Sequence, residues 1–286
     1  MIVSMQKILT ACAVVFSLFA CSQKPVDADD WVQLFNGKDL KDWDIKISKH
    51  ELNDNYGNTF RVEDGLLKVR YDQYESFDDQ FGHIFFKQPF SAYLLVVEYR
   101  FTGEQVPGGP GWAIRNNGLM LHSQSAVSMT RDQDFPISLE TQLLGGIDEN
   151  ARPTANLCTP GTNVVLNGEL FTQHCISSSS ETYPGDRWVR VETLVLGDSI
   201  VHNIAEGDTV LTYTKPQIGG GNVSNYDTTL KQDGKLLKEG YIALQAESAP
   251  TDFRKIELFN LEPYMNDPAA LKKILNQLKQ REAKKP

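Results

Sequence analysis

Along most of this chain, apolar positions recur in short runs that alternate with polar ones. Segments 59–62 and 66–71 flank the turn Glu63-Asp64-Gly65, a hairpin signature. Segment 93–101 (YLLVVEYRF) is β-branched and aromatic. Segments 118–122, 137–143, 163–166, 188–196, 199–204, 209–213, 240–245 and 255–260 follow, with Gly, Pro, Asn and Asp clustered between them. Strands this short and frequent predict an all-β antiparallel sandwich or jelly roll. Helical patterns of about 10–15 residues between the strands, which a parallel α/β fold needs, are missing. Three long Gly/Pro-rich interruptions, 104–117, 145–162 and 216–234, are candidates for functional loops.

The two ends differ from this body. Residues 1–7 carry one positive charge, Lys7, before an apolar run over 8–20. That run is shorter than the ~20 residues of a membrane-spanning helix and reads as a signal-peptide core. It closes on Leu18-Phe19-Ala20-Cys21, which resembles the lipobox of bacterial lipoproteins, with Phe19 bulkier than usual. The expectation is a lipid on Cys21, a polar tether over 21–30, a sandwich over 31–264 and a helix with tail over 265–286. The protein is then anchored in the bacterial cell envelope, in the periplasm or at the outer-membrane surface. At the C-terminus Asp267 suits a helix cap and Pro268 the first helical position. Leu271, Leu275 and Leu278 share one face, predicting a short surface helix docked on the body, with Lys272, Lys273, Lys279, Arg281, Lys284 and Lys285 making it basic.

Composition narrows the function classes. With 28 Lys and Arg against 37 Asp and Glu, the formal charge is −9, which disfavours a general nucleic-acid binder. The 41% hydrophobic content is that of a globular chain. Of four cysteines, Cys12 falls in the signal and Cys21 takes the lipid, leaving Cys158 and Cys175 to form one disulfide in an oxidising compartment. Closing that loop contributes about 3 kcal/mol. No G-x-S-x-G, phosphate loop or dinucleotide fingerprint occurs.

Period-two placement points to a site. Gly118, Met120 and His122 share one face of a strand, as do Ser138, Glu140 and Gln142 on the next, and Ala243, Gln245 and Glu247 on the closing strand. If these strands are neighbours in a curved sheet, His122, Glu140, Gln142, Gln245 and Glu247 converge on its concave side. Trp112, in a Gly/Pro-rich loop, is a platform for a sugar ring, and Arg115 a partner for a hydroxyl or enolate. His122, Glu140 and Glu247 also make an acceptable mixed set for a divalent metal ion. Trp43 and Trp188 read as core aromatics, His83 as a hydrogen-bonded structural histidine or a residue reaching a site rim, and Asp132 and Asp134 as surface charges or a cation site.

Three stretches together resemble one family. Trp31-Val-Gln-Leu-Phe-Asn-Gly-Lys-Asp-Leu-Lys-Asp-Trp43 is similar to the opening of the DUF1080, or 3-keto-disaccharide hydrolase, domain. Asn116-Asn117-Gly118-Leu119 with Ile137-Ser-Leu-Glu140-Thr-Gln142 resembles its central strands. Gly240-Tyr-Ile-Ala-Leu-Gln245 with Phe253-Arg254-Lys-Ile-Glu257 resembles its closing strands. The resemblance implies a concanavalin-like jelly roll acting on sugars oxidised at C3, with Asn117 among the substrate contacts. Two positions depart from the pattern: His122 stands where relatives tend to have Arg, and Glu247 where they often carry His.

A ketone at C3 acidifies the hydrogen on C2. Its removal lets the enolate expel the C1 oxygen, and water addition completes a net hydrolysis. This needs a base poised near neutral pH and a group to hold the oxyanion. The expected base is His122, oriented or replaced by Glu140, with Arg115 or a divalent cation on the enolate. A direct two-carboxylate glycosidase using Glu140 and Glu247, or a non-catalytic carbohydrate-binding module, are the alternatives.

Overall fold

The computed structural model describes residues 30–282. The proposed signal, Cys12 and Cys21 lie outside the described residues. Among the described residues seventeen strands, numbered in chain order, form two antiparallel sheets. The seven-stranded sheet contains β2 (Trp43–Ile47), β5 (Gly82–Phe86), β7 (Asn116–Ser123), β8 (Leu139–Leu144), β9 (Asn156–Cys158), β12 (Cys175–Ile176) and β16 (Tyr241–Ala246). Their spatial order is β12-β9-β8-β7-β16-β5-β2. The ten-stranded sheet is built around β6 (Ala92–Phe101), β13 (Val189–Leu196), β14 (Ile200–Ala205), β15 (Asp208–Ile218) and β17 (Thr251–Asn260). Its flanks are β1 (Trp31–Gln33), β3 (Phe60–Glu63) and β4 (Leu66–Val69) on one side, and β10 (Thr162–Leu166) and β11 (Glu169–Phe171) on the other. The three strands singled out for the site are indeed neighbours, in the order β8-β7-β16.

Alternation sorts the seven-stranded sheet into two faces. Ile84, Leu119, Leu121, Leu139, Leu143, Leu157, Ile242 and Leu244 point between the sheets, into the main core with Leu95, Val97, Val191 and Phe253. Phe85, Met120 and Ala243 point outward and form a separate apolar cluster with Ala126 and Met129. A sheet covered on both faces loses the polar/apolar alternation. This explains why β5, whose sequence is Gly-His-Ile-Phe-Phe, carries no period-two signal. The short strands β1, β2, β9, β11 and β12 also escape sequence periodicity, having too few residues to display one.

Two strands run further than their pattern suggests. β17 begins at Thr251, and a bulge between Phe253 and Lys255 inverts its alternation part-way, hiding its first residues from the periodicity. β15 continues through Pro216 to Ile218, past Lys215 at φ +48° and an irregular register with β10.

The C-terminal helix α1 (Pro268–Glu282) is capped by the Asp267 carboxylate, which accepts the N–H groups of Ala269 and Ala270. Its Ile274 and Leu278 are buried against Trp31, Leu94 and Phe259 on the outer face of the ten-stranded sheet. Trp43 is in the core, its indole N–H donating to the Leu34 carbonyl. Trp188 is not: it is half-buried at the surface, with the guanidiniums of Arg100 and Arg254 at 4.6 and 4.7 Å from its ring. The indole is a cation–π platform there, not a core aromatic.

Candidate active site

The outward face of the seven-stranded sheet carries a cavity of about 520 Å³. Its floor comes from β7, β8, β9 and the end of β16, through Asn116, Glu140, Gln142, Cys158 and Glu247. Glu140 stands opposite Met120 on one side and Cys158 on the other, and Cys158 stands opposite Cys175. The Cys158–Cys175 disulfide forms as expected and ties the short edge strand β12 to the floor. Loops supply the walls. The Asp134 carboxylate accepts the backbone N–H of Ser224 at 2.7 Å, joining two of them across the rim. Val223 packs on Ile137 beside it. Asp134 thus fastens loops and also lines the cavity, whereas Asp132 is an exposed partner of Arg131.

Glu140 and Glu247 are both buried, at 5% and 3% exposure. Burial pushes the Glu140 carboxyl up to about 8. Burial pushes Glu247 up as well, and the nearby Glu140 carboxyl raises it further. Burial thus favours the protonated form of both acids. Glu247 Oε2 has no hydrogen-bond partner, nor has Asn116 Oδ1. Gln142 is held by Asn156, whose amide donates to its Oε1 at 3.0 Å.

The remaining expected site residues divide. Trp112 is 57% exposed at the rim, stacked on Phe81 with ring centroids 6.1 Å apart and planes 11° apart. Gln245 is fully buried on the face that Glu247 shares. Arg115 is directed away from the cavity and pairs with Asp186 and the Gly185 carbonyl. Asn117 faces between the sheets: its amide donates to the Gln245 carbonyl and to Thr251 Oγ1. The cavity asparagine is its neighbour Asn116. His122 is also displaced. It sits at φ +47° in a bulge where β7 slips against β16 between Tyr241 and Ala243. That left-handed residue breaks the alternation, and the imidazole turns to Tyr93 and the Gly197 carbonyl, 3.1 Å from Nε2. His122 therefore does not meet Glu140 and Glu247, and the expected three-residue metal set is not assembled. The one group of three metal-type side chains among the described residues is Cys158, His174 and Cys175, and its two sulfurs are spent in the disulfide.

Two further histidines, neither among the expected catalytic or binding residues, belong to this region. His174 lines the cavity beside the disulfide. His83, on β5, is fully buried opposite Gln245. Far from being hydrogen-bonded, both its ring nitrogens lack partners. Alternation against Ile84 would have placed His83 on the Gln245 face had β5 been recognisable.

The sequence pattern of the 3-keto-alpha-glucoside-1,2-lyase-like domain matches residues 30–258. The chain belongs to this family. The match spans the whole sandwich of this lyase-like domain, from β1 almost to the end of β17. Among solved structures, a candidate glycosyl hydrolase from Parabacteroides distasonis is 16% identical, over 83% of this chain and 98% of that one, with a TM-score of 0.49. The carbohydrate binding module CBM66 of Bacillus subtilis is 12% identical over 70% and 90%, at 0.41. A Bacillus subtilis protein with a galectin-like fold is 13% identical over 80% and 94%, also at 0.41. No curated protein matches the chain in sequence. The lyase-like domain is a sandwich of two antiparallel sheets and belongs to a carbohydrate-active family.

Proposed function

We propose that this protein cleaves 3-keto-glycosides by elimination, with Glu140 as base and Glu247 as acid. The carrying observation is the pair of buried carboxyls on one cavity floor, both raised above the ordinary carboxylate range. Glu140 removes the hydrogen from C2 of the sugar, acidified by the C3 ketone. The electron pair forms the C1–C2 double bond as the C1–oxygen bond breaks. Glu247 gives its proton to the departing oxygen. The product is a 1,2-unsaturated 3-keto sugar, and water addition across that bond yields the net hydrolysis product. A carboxyl with its pKa near 8 suits proton abstraction near neutral pH, because basicity and ionised fraction are then both substantial. Trp112 supports sugar-ring binding at the rim.

The same carboxyl pair supports a second reading, direct two-carboxylate hydrolysis of unoxidised glycosides. Purified protein incubated with a glucoside and its 3-keto counterpart separates them. Cleavage of the keto compound alone, with the unsaturated product seen by mass and ultraviolet absorbance, fits elimination. Equal cleavage of both fits the glycosidase, and binding without turnover fits a carbohydrate-binding module. The proposal extends to export and lipid attachment at Cys21 in the bacterial cell envelope. Incorporation of labelled fatty acid in the full chain and its loss in Cys21→Ser test that part.

A further inference from the structure

Beneath the cavity lies a second group of polar side chains that the elimination just described does not use. His83 and Gln245 are cross-strand neighbours on β5 and β16, both with no solvent exposure. Both imidazole nitrogens and both amide atoms lack hydrogen-bond partners. Buried polar side chains in folded proteins are overwhelmingly hydrogen-bonded, since leaving them bare costs desolvation without return. Four bare atoms on two adjacent residues of one sheet face therefore call for an external partner.

The surroundings indicate where it enters. Phe135 lines the cavity and stands edge-on to His83, with centroids 6.0 Å apart. Phe81 contacts Phe135 at 4.8 Å, and Trp112 stacks on Phe81. An aromatic wall thus descends from the exposed indole to the buried imidazole. The Glu140 carboxyl lies over Gly118. Because Leu244 pairs with Leu119, the next residues, Gln245 and Gly118, also stand side by side. The base is therefore adjacent to the bare amide, as C2 is adjacent to the C3 ketone in the sugar.

We propose that His83 and Gln245 form a buried subsite for the ketone oxygen and a neighbouring hydroxyl of the oxidised sugar, entered when the Phe135 ring turns aside. This rests on the reading of the cavity as a 3-keto-sugar site. The Gln245 amide donates to the ketone oxygen, where negative charge develops as C2 loses its proton. His83 offers one donor and one acceptor, since burial and the nearby Lys46 ammonium keep its imidazole neutral, with its pKa down to about 3.

The test uses the full chain, with methyl 3-keto-glucoside as probe. His83→Phe and Gln245→Leu each remove bare polar atoms, so melting temperature should hold or rise. The value of kcat/KM for the probe should fall at least tenfold in each. In nitrogen-15 spectra of the Glu140→Gln protein, the probe should shift the His83 ring nitrogens along with the Trp112 indole N–H. Probe that shifts Trp112 but leaves His83 unmoved, with His83→Phe turning over at the wild-type rate, overturns the subsite and leaves the reaction standing. Shifts at His83 without cleavage by the wild-type protein uphold the subsite and overturn the reaction. No shift at either residue and no cleavage removes both.

Discussion

The Glu140 carboxyl occupies the space that a side chain at Gly118 would fill: a Cβ built there would come within 2.5 Å of Glu140 Oε1. The missing side chain on β7 is what lets a long acid from β8 lie flat on the sheet beside Gln245. Gly118→Ala is expected to displace the carboxyl and lower turnover at least tenfold. The overpacking should cost about 1–3 kcal/mol of stability. Kinetics together with denaturant unfolding check both parts, and wild-type turnover in a folded Gly118→Ala protein would remove Glu140 from the mechanism.

Glu140→Gln and Glu247→Gln should each reduce cleavage of a 3-keto-glucoside by about a hundredfold or more, the lower range for lost acid–base catalysis. Both variants should be at least as stable as the wild type at neutral pH, because the glutamines need no proton to remain buried. Comparison of initial rates with thermal melts separates this from general misfolding.

Stability should respond to pH with a definite sign. The folded pKa of Glu140 is raised from its ordinary 4.5 to about 8, and that of Glu247 is raised too. The unfolded chain releases these protons first, so their stabilising contribution is whole below about pH 4.5 and is lost as pH rises toward 8. Turnover should climb over the same window as Glu140 ionises. Melting temperatures between pH 4.5 and 8.5 should therefore decline in the wild type and decline less in Glu140→Gln; equal slopes would contradict the raised pKa.

His122→Asn should leave turnover within about twofold of wild type. Asparagine tolerates the left-handed backbone that this bulge requires, and the imidazole faces Tyr93 and Gly197 rather than the cavity. A hundredfold loss of kcat in a stable His122→Asn protein would show that β7 rearranges on substrate binding.

Replacing Cys158 and Cys175 together with serine should cost about 3 kcal/mol, the loop-closure contribution of the crosslink. Since Cys158 stands next to Glu140 in the sheet register, KM should rise as well. Chemical denaturation with and without reductant gives the first quantity, and saturation kinetics the second.

How much of this was legible in the sequence depends on how local each feature is. The turn Glu63-Asp64-Gly65, the run over 93–101 and the Asp267-Pro268 helix start are written in neighbouring residues, and each appears in the structure within a few positions. Glu140 and Gln142 were placed correctly because β8 alternates without interruption. His122 and Arg115 leave the expected site at positive-φ residues, one inside β7 and one just before it, whereas the inward face of Asn117 follows from the same regular alternation that turns Gly118 to the cavity.

The sequence by itself determined a β-sandwich, the Cys158–Cys175 disulfide, the docked helix and two acids on a common sheet face, while a carbohydrate-active family came only from the resemblance of three stretches. The first four follow from alternation, capping and cysteine count, which act over a few residues. Only the tertiary structure decided that His122 leaves the site, that His83 is buried opposite Gln245, and that burial raises the pKa of both acids. The physical reason is that a single left-handed residue reverses a side chain's face, and that desolvation is set by loops and strands far apart in the chain.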